Sequence, residues 1–178
     1  MAGGLILKIS HMNKATFIPH NQLSREHLID IIKVKSAAWP YTDVQQRSWI
    51  KNNIFENDVH VLLKNTETVQ AYLNLVDISI SIDDKHINAY GIGNVCAIQK
   101  GKGWGKELLI HVNKYMINNN KVGLLFCKDV LVNFYKVNKW SLISKEQSNF
   151  LNVKNDVNAL VYNYPKIEKE LKFHGNSF

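Results

Sequence analysis

A chain of 178 residues has room for one domain with a substantial core and little room for a second. An apolar content of 46% beside 21% charged residues excludes a disordered chain, and a formal net charge of +7 favours a polyanionic ligand. Two cysteines are too few for a disulfide scaffold and the seven histidines fall in no metal-ligand spacing, so neither a stapled fold nor a metal site is expected.

Residues 1–11, closing in Ser10-His11 ahead of Met12, read as an expression tag or vector-derived segment, with a strand through Leu5-Ile6-Leu7 as the alternative. No apolar run reaches the ~20 residues that span a bilayer and no secretory apolar segment is evident, so the expectation is a cytoplasmic protein that engages no membrane. The basic residues form no stripe interleaved with aromatics, and nucleic acid is not the expected partner.

In chain order, Lys14–Ile18 is a short edge strand broken by Pro19. Ser24 is a helix N-cap, with Glu26 in the first turn and Leu28, Ile31 and Ile32 at helical spacing up to Pro40. A second helix runs from Thr42 or Asp43 through Ile54. Between them Ala38-Trp39-Pro40-Tyr41 is either core punctuation or a pocket wall, and the first is the preferred reading. Val59–Leu63 and Val69–Ile82 are strands. Within the longer one, Val76, Ile78, Ile80 and Ile82 alternate with Asp77, Ser79 and Ser81, giving one apolar and one polar face. Asp83-Asp84-Lys85 reverses the chain into His86–Ile98, and so short a link demands antiparallel pairing.

The loop Lys100-Gly101-Lys102-Gly103-Trp104-Gly105 then leads into a helix whose apolar face carries Leu108, Leu109, Val112, Tyr115 and Met116. Glycines at alternate positions let backbone amides approach a ligand, and a helix N-terminus ringed by Lys100, Lys102 and Lys106 suits an anion, above all a phosphate. The spacing fits neither a Walker A loop nor a dinucleotide fingerprint, and an antiparallel hairpin precedes it. Val122–Cys127 is a continuous apolar run that fits a central parallel strand. A short helix near Val130–Asn138, a strand near Trp140–Ser144 and a last strand near Ala159–Tyr164 complete one domain over residues 12–167. Residues 168–178 are expected to be a flexible tail.

This order of elements, with Lys100, Gly103 and Gly105 at the fixed positions of an Arg/Gln-x-x-Gly-x-Gly/Ala signature and with Tyr135 and Trp140 downstream, resembles the GNAT superfamily of acyl-CoA N-acyltransferases. The Trp140 ending and the Asp156–Tyr162 segment look most like the branch holding aminoglycoside 2′-N-acetyltransferases and nodulation-factor acyltransferases. The resemblance implies an α/β fold with a mixed, mostly antiparallel sheet flanked by helices. It implies acetyl-CoA, or another acyl-CoA, with its phosphates on the amides of Gly101, Lys102, Gly103, Trp104 and Gly105 beside Lys100. The pantetheine arm would run along the backbone of Asn94, Val95, Cys96, Ala97 and Ile98. Tyr135 would be the general acid at the sulfur, and Asp77 is offered as the base, with a solvated surface residue as its other reading. The acceptor would be a small-molecule amine or a peptide. A non-catalytic acyl-CoA-binding protein is the alternative, and exposed sheet edges leave a homodimer open.

Overall fold

The computed structural model describes residues 13–154, 156–176 and 178; the suspected tag at residues 1–11 lies outside them. The chain begins with β1 (Lys14–Pro19), which pairs antiparallel with β2 (Val59–Asn65) at the sheet edge. Between them lie α1 (Arg25–Ala38) and α2 (Asp43–Asn53). The first helix starts on the expected Ser24 cap, and the second starts within the expected bounds on a cap not named from the sequence. Ser24 Oγ accepts from the His27 amide at 3.1 Å, and Thr42 and Gln45 form a reciprocal capping box.

β3 (Thr68–Ile82) and β4 (Lys85–Ala97) form the long central hairpin, closed by Asp83 and Asp84 at φ 50° and 64°. Positive φ at both central residues matches the turn twist to the strand twist, and Asp tolerates it better than most residues do. α3 (Trp104–Asn118) follows, and β5 (Val122–Cys127) then runs parallel to β4. After α4 (Asp129–Val137), β6 (Ser141–Leu142) is the short remnant of the strand expected near Trp140. β7 (Ser148–Asn152), β8 (Asn158–Tyr162) and β9 (Leu171–Asn176) complete the chain. The sheet order is β1-β2-β3-β4-β5-β8-β6, with β9 joining β3 and β7 off this path. The expected mixed, mostly antiparallel sheet flanked by helices is the fold found.

Two apolar layers cover the sheet. On one face Ile31, Ile32 and Val34 of α1 and Ile50 of α2 pack on Leu62, Val69, Tyr72 and Cys96. On the other, Leu108, Leu109, Val112 and Met116 of α3 pack on Leu63, Leu73, Leu75, Ile92 and Leu125. Burial of this kind, about 25 cal/mol per Å2 of apolar surface, supplies most of the stability of the helices.

The C-terminal segment corrects the expectation of a flexible tail. The Asp83 carboxylate accepts from the amides of Glu168 (3.0 Å), Lys169 (2.7 Å) and Glu170 (3.2 Å). This clasp feeds Leu171 and Lys172 into register with Ile82 and Ser81. Leu171 and Phe173 are buried with Ile80, Ile82 and Leu124, and Phe178 stacks on Gly91, where any Cβ would collide with its ring.

Candidate functional site

β4 holds its pairing with β3 until Asn74↔Gly93 and resumes it at Tyr72↔Cys96. Asn94 and Val95 therefore oppose the single residue Leu73: a β-bulge, with Asn94 at φ 53°. β4 pairs with β5 only from Ala89↔Val122 to Ile92↔Leu125, while β5 continues to Cys127 against β8. The two parallel strands thus part at the bulge. The β5-facing backbone edge of Asn94, Val95, Cys96 and Ala97 is left for an added extended chain, the arrangement by which peptides and peptide-like arms dock on sheets.

Beyond Ile98 the glycine loop turns into α3. Gly101 and Gly103 stand at φ 76° and 83°, a region that disfavours any side chain, although no atom lies within 4 Å of where their Cβ would be. Their role is conformational. Gly103 is the N-cap of α3, and the first intrahelical bond runs from the Glu107 amide to its carbonyl, so the amides of Trp104, Gly105 and Lys106 project from the helix start without intrahelical partners. Lys100, Lys102 and Lys106 are exposed around them. Gly105 serves packing instead, since its Cβ position lies 3.4 Å from Phe134 Cζ, which brings α4 against the start of α3.

Tyr135, on α4, is buried in the α3-side cluster that also holds Cys127 of β5 and against which Val95 and Ala97 of β4 pack. Its ring meets Trp140 edge-on at 6.3 Å between centroids. Burial, reinforced by the Cys127 thiol, pushes the phenol above its ordinary pKa, so it carries its proton throughout the physiological range.

Asp77 is already engaged by another side chain. Its side chain shares the α3 face with Leu73 and Leu75 and is paired with Lys121 at 2.9 Å, opposite Tyr90. The strand's alternation was read correctly, but the polar face is turned away from the opening that lies on the α1 side of the bulge. That opening is a cavity of about 450 Å3 lined by Lys35, Trp39, Tyr41, Gln46, Trp49 and Asn94. Trp39 and Tyr41 are therefore pocket wall, against the preferred reading of their loop as core punctuation. In sequence Trp49 reads as an apolar contributor to the second helix, not as a pocket residue, and Lys35 is not singled out. The signal for Lys35 was its spacing: three and four residues after Ile32 and Ile31, it lies on the buried face of α1.

Cys96 presents only its backbone to the splayed edge. Its side chain is buried on the α1 side with the thiol pushed up to about 12 by desolvation.

Solved structures share this architecture. Escherichia coli ElaA superposes with a TM-score of 0.60 at 16% identity, covering 85% of this chain and 100% of that one. The chain has the GNAT fold. An acyl-CoA N-acyltransferase from Pseudomonas aeruginosa matches at a TM-score of 0.60 and 15% identity over 84% of this chain and 99% of that one. PaiA N-acetyltransferase of Thermoplasma acidophilum, solved in complex with coenzyme A, matches at 0.56 and 16% over 85% and 99%. No protein-family model matches the sequence, and no curated protein does. Among the described residues no helix is long and apolar enough to cross a membrane.

Proposed function

We propose that the protein is an acyl-CoA-dependent N-acyltransferase that moves an acetyl group from acetyl-CoA directly to a primary amine. The observation that carries this reading is the parting of β4 from β5 at the Asn94 bulge, in line with the glycine-capped start of α3. Such a frame suits a ligand with phosphates at one end and an amide-bearing arm at the other. Gly101 to Gly105 would offer amides and Lys100 and Lys102 charge to the phosphates. Asn94 to Ile98 would pair with the arm. Acyl-CoA supplies the activated thioester.

In this reading the β4 backbone at the bulge polarises the acyl carbonyl, and Tyr135 donates its proton to the departing sulfur. Among the described residues no acidic side chain lines the cavity, so in this reading the attacking amine reaches the carbonyl already neutral or loses its proton to water. A polycationic aminoglycoside suits this cavity poorly, because the charge it presents is that of Lys35.

Calorimetric titration with CoA and acetyl-CoA tests the donor site; no heat at millimolar ligand removes the proposal. Acetyl-CoA-dependent thiol release across a panel of amines and peptides tests transfer. Binding without release from any acceptor would favour the second reading, an acyl-CoA-binding protein without catalysis, which the lack of an acidic side chain among the described residues of the cavity supports.

A further inference from the structure

Lys35 is 3% exposed, yet among the described residues no carboxylate pairs with it. Its Nζ donates to Asn94 Oδ1 at 2.8 Å and lies 3.8 Å from the Trp49 ring centroid and 5.6 Å from that of Trp39. An ammonium can only donate, so its bond fixes the orientation of the Asn94 amide. Asn94 Nδ2 must then face Asn74 Oδ1, at 2.7 Å. That contact in turn leaves Asn74 Nδ2 as the end of the chain. Asn74 is 1% exposed, and this Nδ2 is buried without a partner. Asn74 lines a second cavity, of about 490 Å3, that shares Trp49 and Phe178 with the first.

The network is thus a polarised relay with a buried cation at one end, met by an amide oxygen and an indole face but by no carboxylate side chain, and a buried orphan donor at the other. Both conditions are costly, and both are relieved by a ligand that brings oxygen acceptors, one of them negatively charged. A cationic occupant would add repulsion to Lys35 instead. The wall common to both cavities is the Trp49 indole and the Phe178 ring, which suit an apolar or aromatic body.

Resting on the transferase reading above, we propose that the acceptor is a carboxylate-bearing amine with an aromatic or apolar body, an aromatic amino acid being its simplest form. Lys35 holds the carboxylate, Asn74 Nδ2 offers a second donor to a ligand oxygen, and Trp39 and Trp49 face the side chain. The Lys35–Asn94 bond sets this anchor against the bulge, where the acyl carbonyl would lie.

The test is calorimetric titration of the full chain with phenylalanine, phenylalaninamide and phenethylamine, and separately with acetyl-CoA. Phenylalanine is expected to bind at least tenfold more tightly than the two probes that lack the carboxylate. Lys35→Met should abolish that preference and Lys35→Arg should retain it, with circular dichroism reporting that each variant is folded. Equal binding of the three probes, no binding of any, or a preference that survives Lys35→Met overturns the proposal. If acetyl-CoA binds and phenylalanine does not, the acceptor assignment falls and the transferase reading stands. If phenylalanine binds and acetyl-CoA does not, the carboxylate site stands and the transferase reading falls.

Discussion

Trp140 lies directly over Gly123: a Cβ on Gly123 would stand 2.6 Å from Trp140 Cη2 and 2.8 Å from Met116 Sδ. The thioether can swing aside, but the indole is held, with its N–H donating to Asn113 Oδ1 at 3.2 Å. Gly123→Ala is therefore expected to cost about 1–3 kcal/mol through overpacking, lowering Tm by roughly 2–4 °C for each kcal/mol. Differential scanning calorimetry of the variant checks this, and an unchanged Tm would mean that the indole moves freely.

Tyr135→Phe removes one hydroxyl from a buried ring and leaves the T-shaped packing on Trp140 in place. On the proposed reaction, kcat should fall about 100-fold, within the range of general-acid contributions, while KM for acetyl-CoA changes little. Turnover within twofold of the parent protein takes the acid role away from Tyr135.

On the proposed reading, Gly103→Ala and Lys100→Ala separate the geometry of the phosphate site from its charge. The first forces a side chain into φ 83°, a strain of about 1–2 kcal/mol that re-aims the amides at the start of α3. CoA affinity should drop about tenfold at any salt concentration, since a tenfold change corresponds to about 1.4 kcal/mol. The lysine variant should lose less, and lose it chiefly at low salt, because its exposed charge acts through a screened field. Titrations at two ionic strengths distinguish the two behaviours.

His60 makes stability depend on pH. It is buried between His20 Nδ1 and the Tyr72 hydroxyl, both at 2.9 Å. Desolvation first, then the charges of His20, Lys35 and His27, hold its pKa down to about 3 from an ordinary 6.5. Between those values the unfolded chain binds the extra proton, so stability is fully present above about pH 6.5 and falls as the pH drops towards 3. The slope contributed is at most about 1.4 kcal/mol per pH unit. Urea unfolding from pH 7 to 4 should show it, and His60→Gln should flatten it.

Asp83→Ala should release the C-terminal strand. The amides of Glu168 and Lys169 are the main cause of the lowered Asp83 pKa, with a smaller contribution from Glu170. A depressed carboxyl stabilises above the unfolded value and loses its effect as pH falls through the folded one. Hydrogen exchange at Leu171–Asn176 should quicken in the variant at pH 7, with the β3–β4 hairpin amides little changed.

The parts of this fold that announce themselves in sequence are those governed by local rules. Ser24 and Thr42 cap helices wherever they precede an amphipathic run, Asp83-Asp84 closes a hairpin, and Gly101 and Gly103 mark a backbone that no other residue adopts easily. β7 and β9 escape because their stability is not local. Ser148–Asn152 and Leu171–Asn176 are short and polar, and they become strands through pairing with each other and through Phe150 and Phe173 packing around Phe126. The cavity beside Lys35 is not legible in the sequence for a related reason. The pattern of β3 separates Asp77 from Val76 and Ile78, yet which face meets the opening depends on where α1 and α2 pack. A lysine that lies on two tryptophans looks, in the linear chain, like any lysine on a helix.

Neither cysteine near the bulge is prepared to act as a relay for the acyl group. Burial lifts the Cys127 thiol to about 11, with the Asp129 charge adding to the effect, and desolvation lifts that of Cys96 further. Both stay protonated at neutral pH and make poor nucleophiles. On the proposed reaction, the donor along β4 and an acceptor beside Lys35 would then have to be present together, one on each side of Asn94. Initial-velocity plots against either substrate should accordingly intersect, and no labelled acetyl group should remain on the protein after acetyl-CoA is removed.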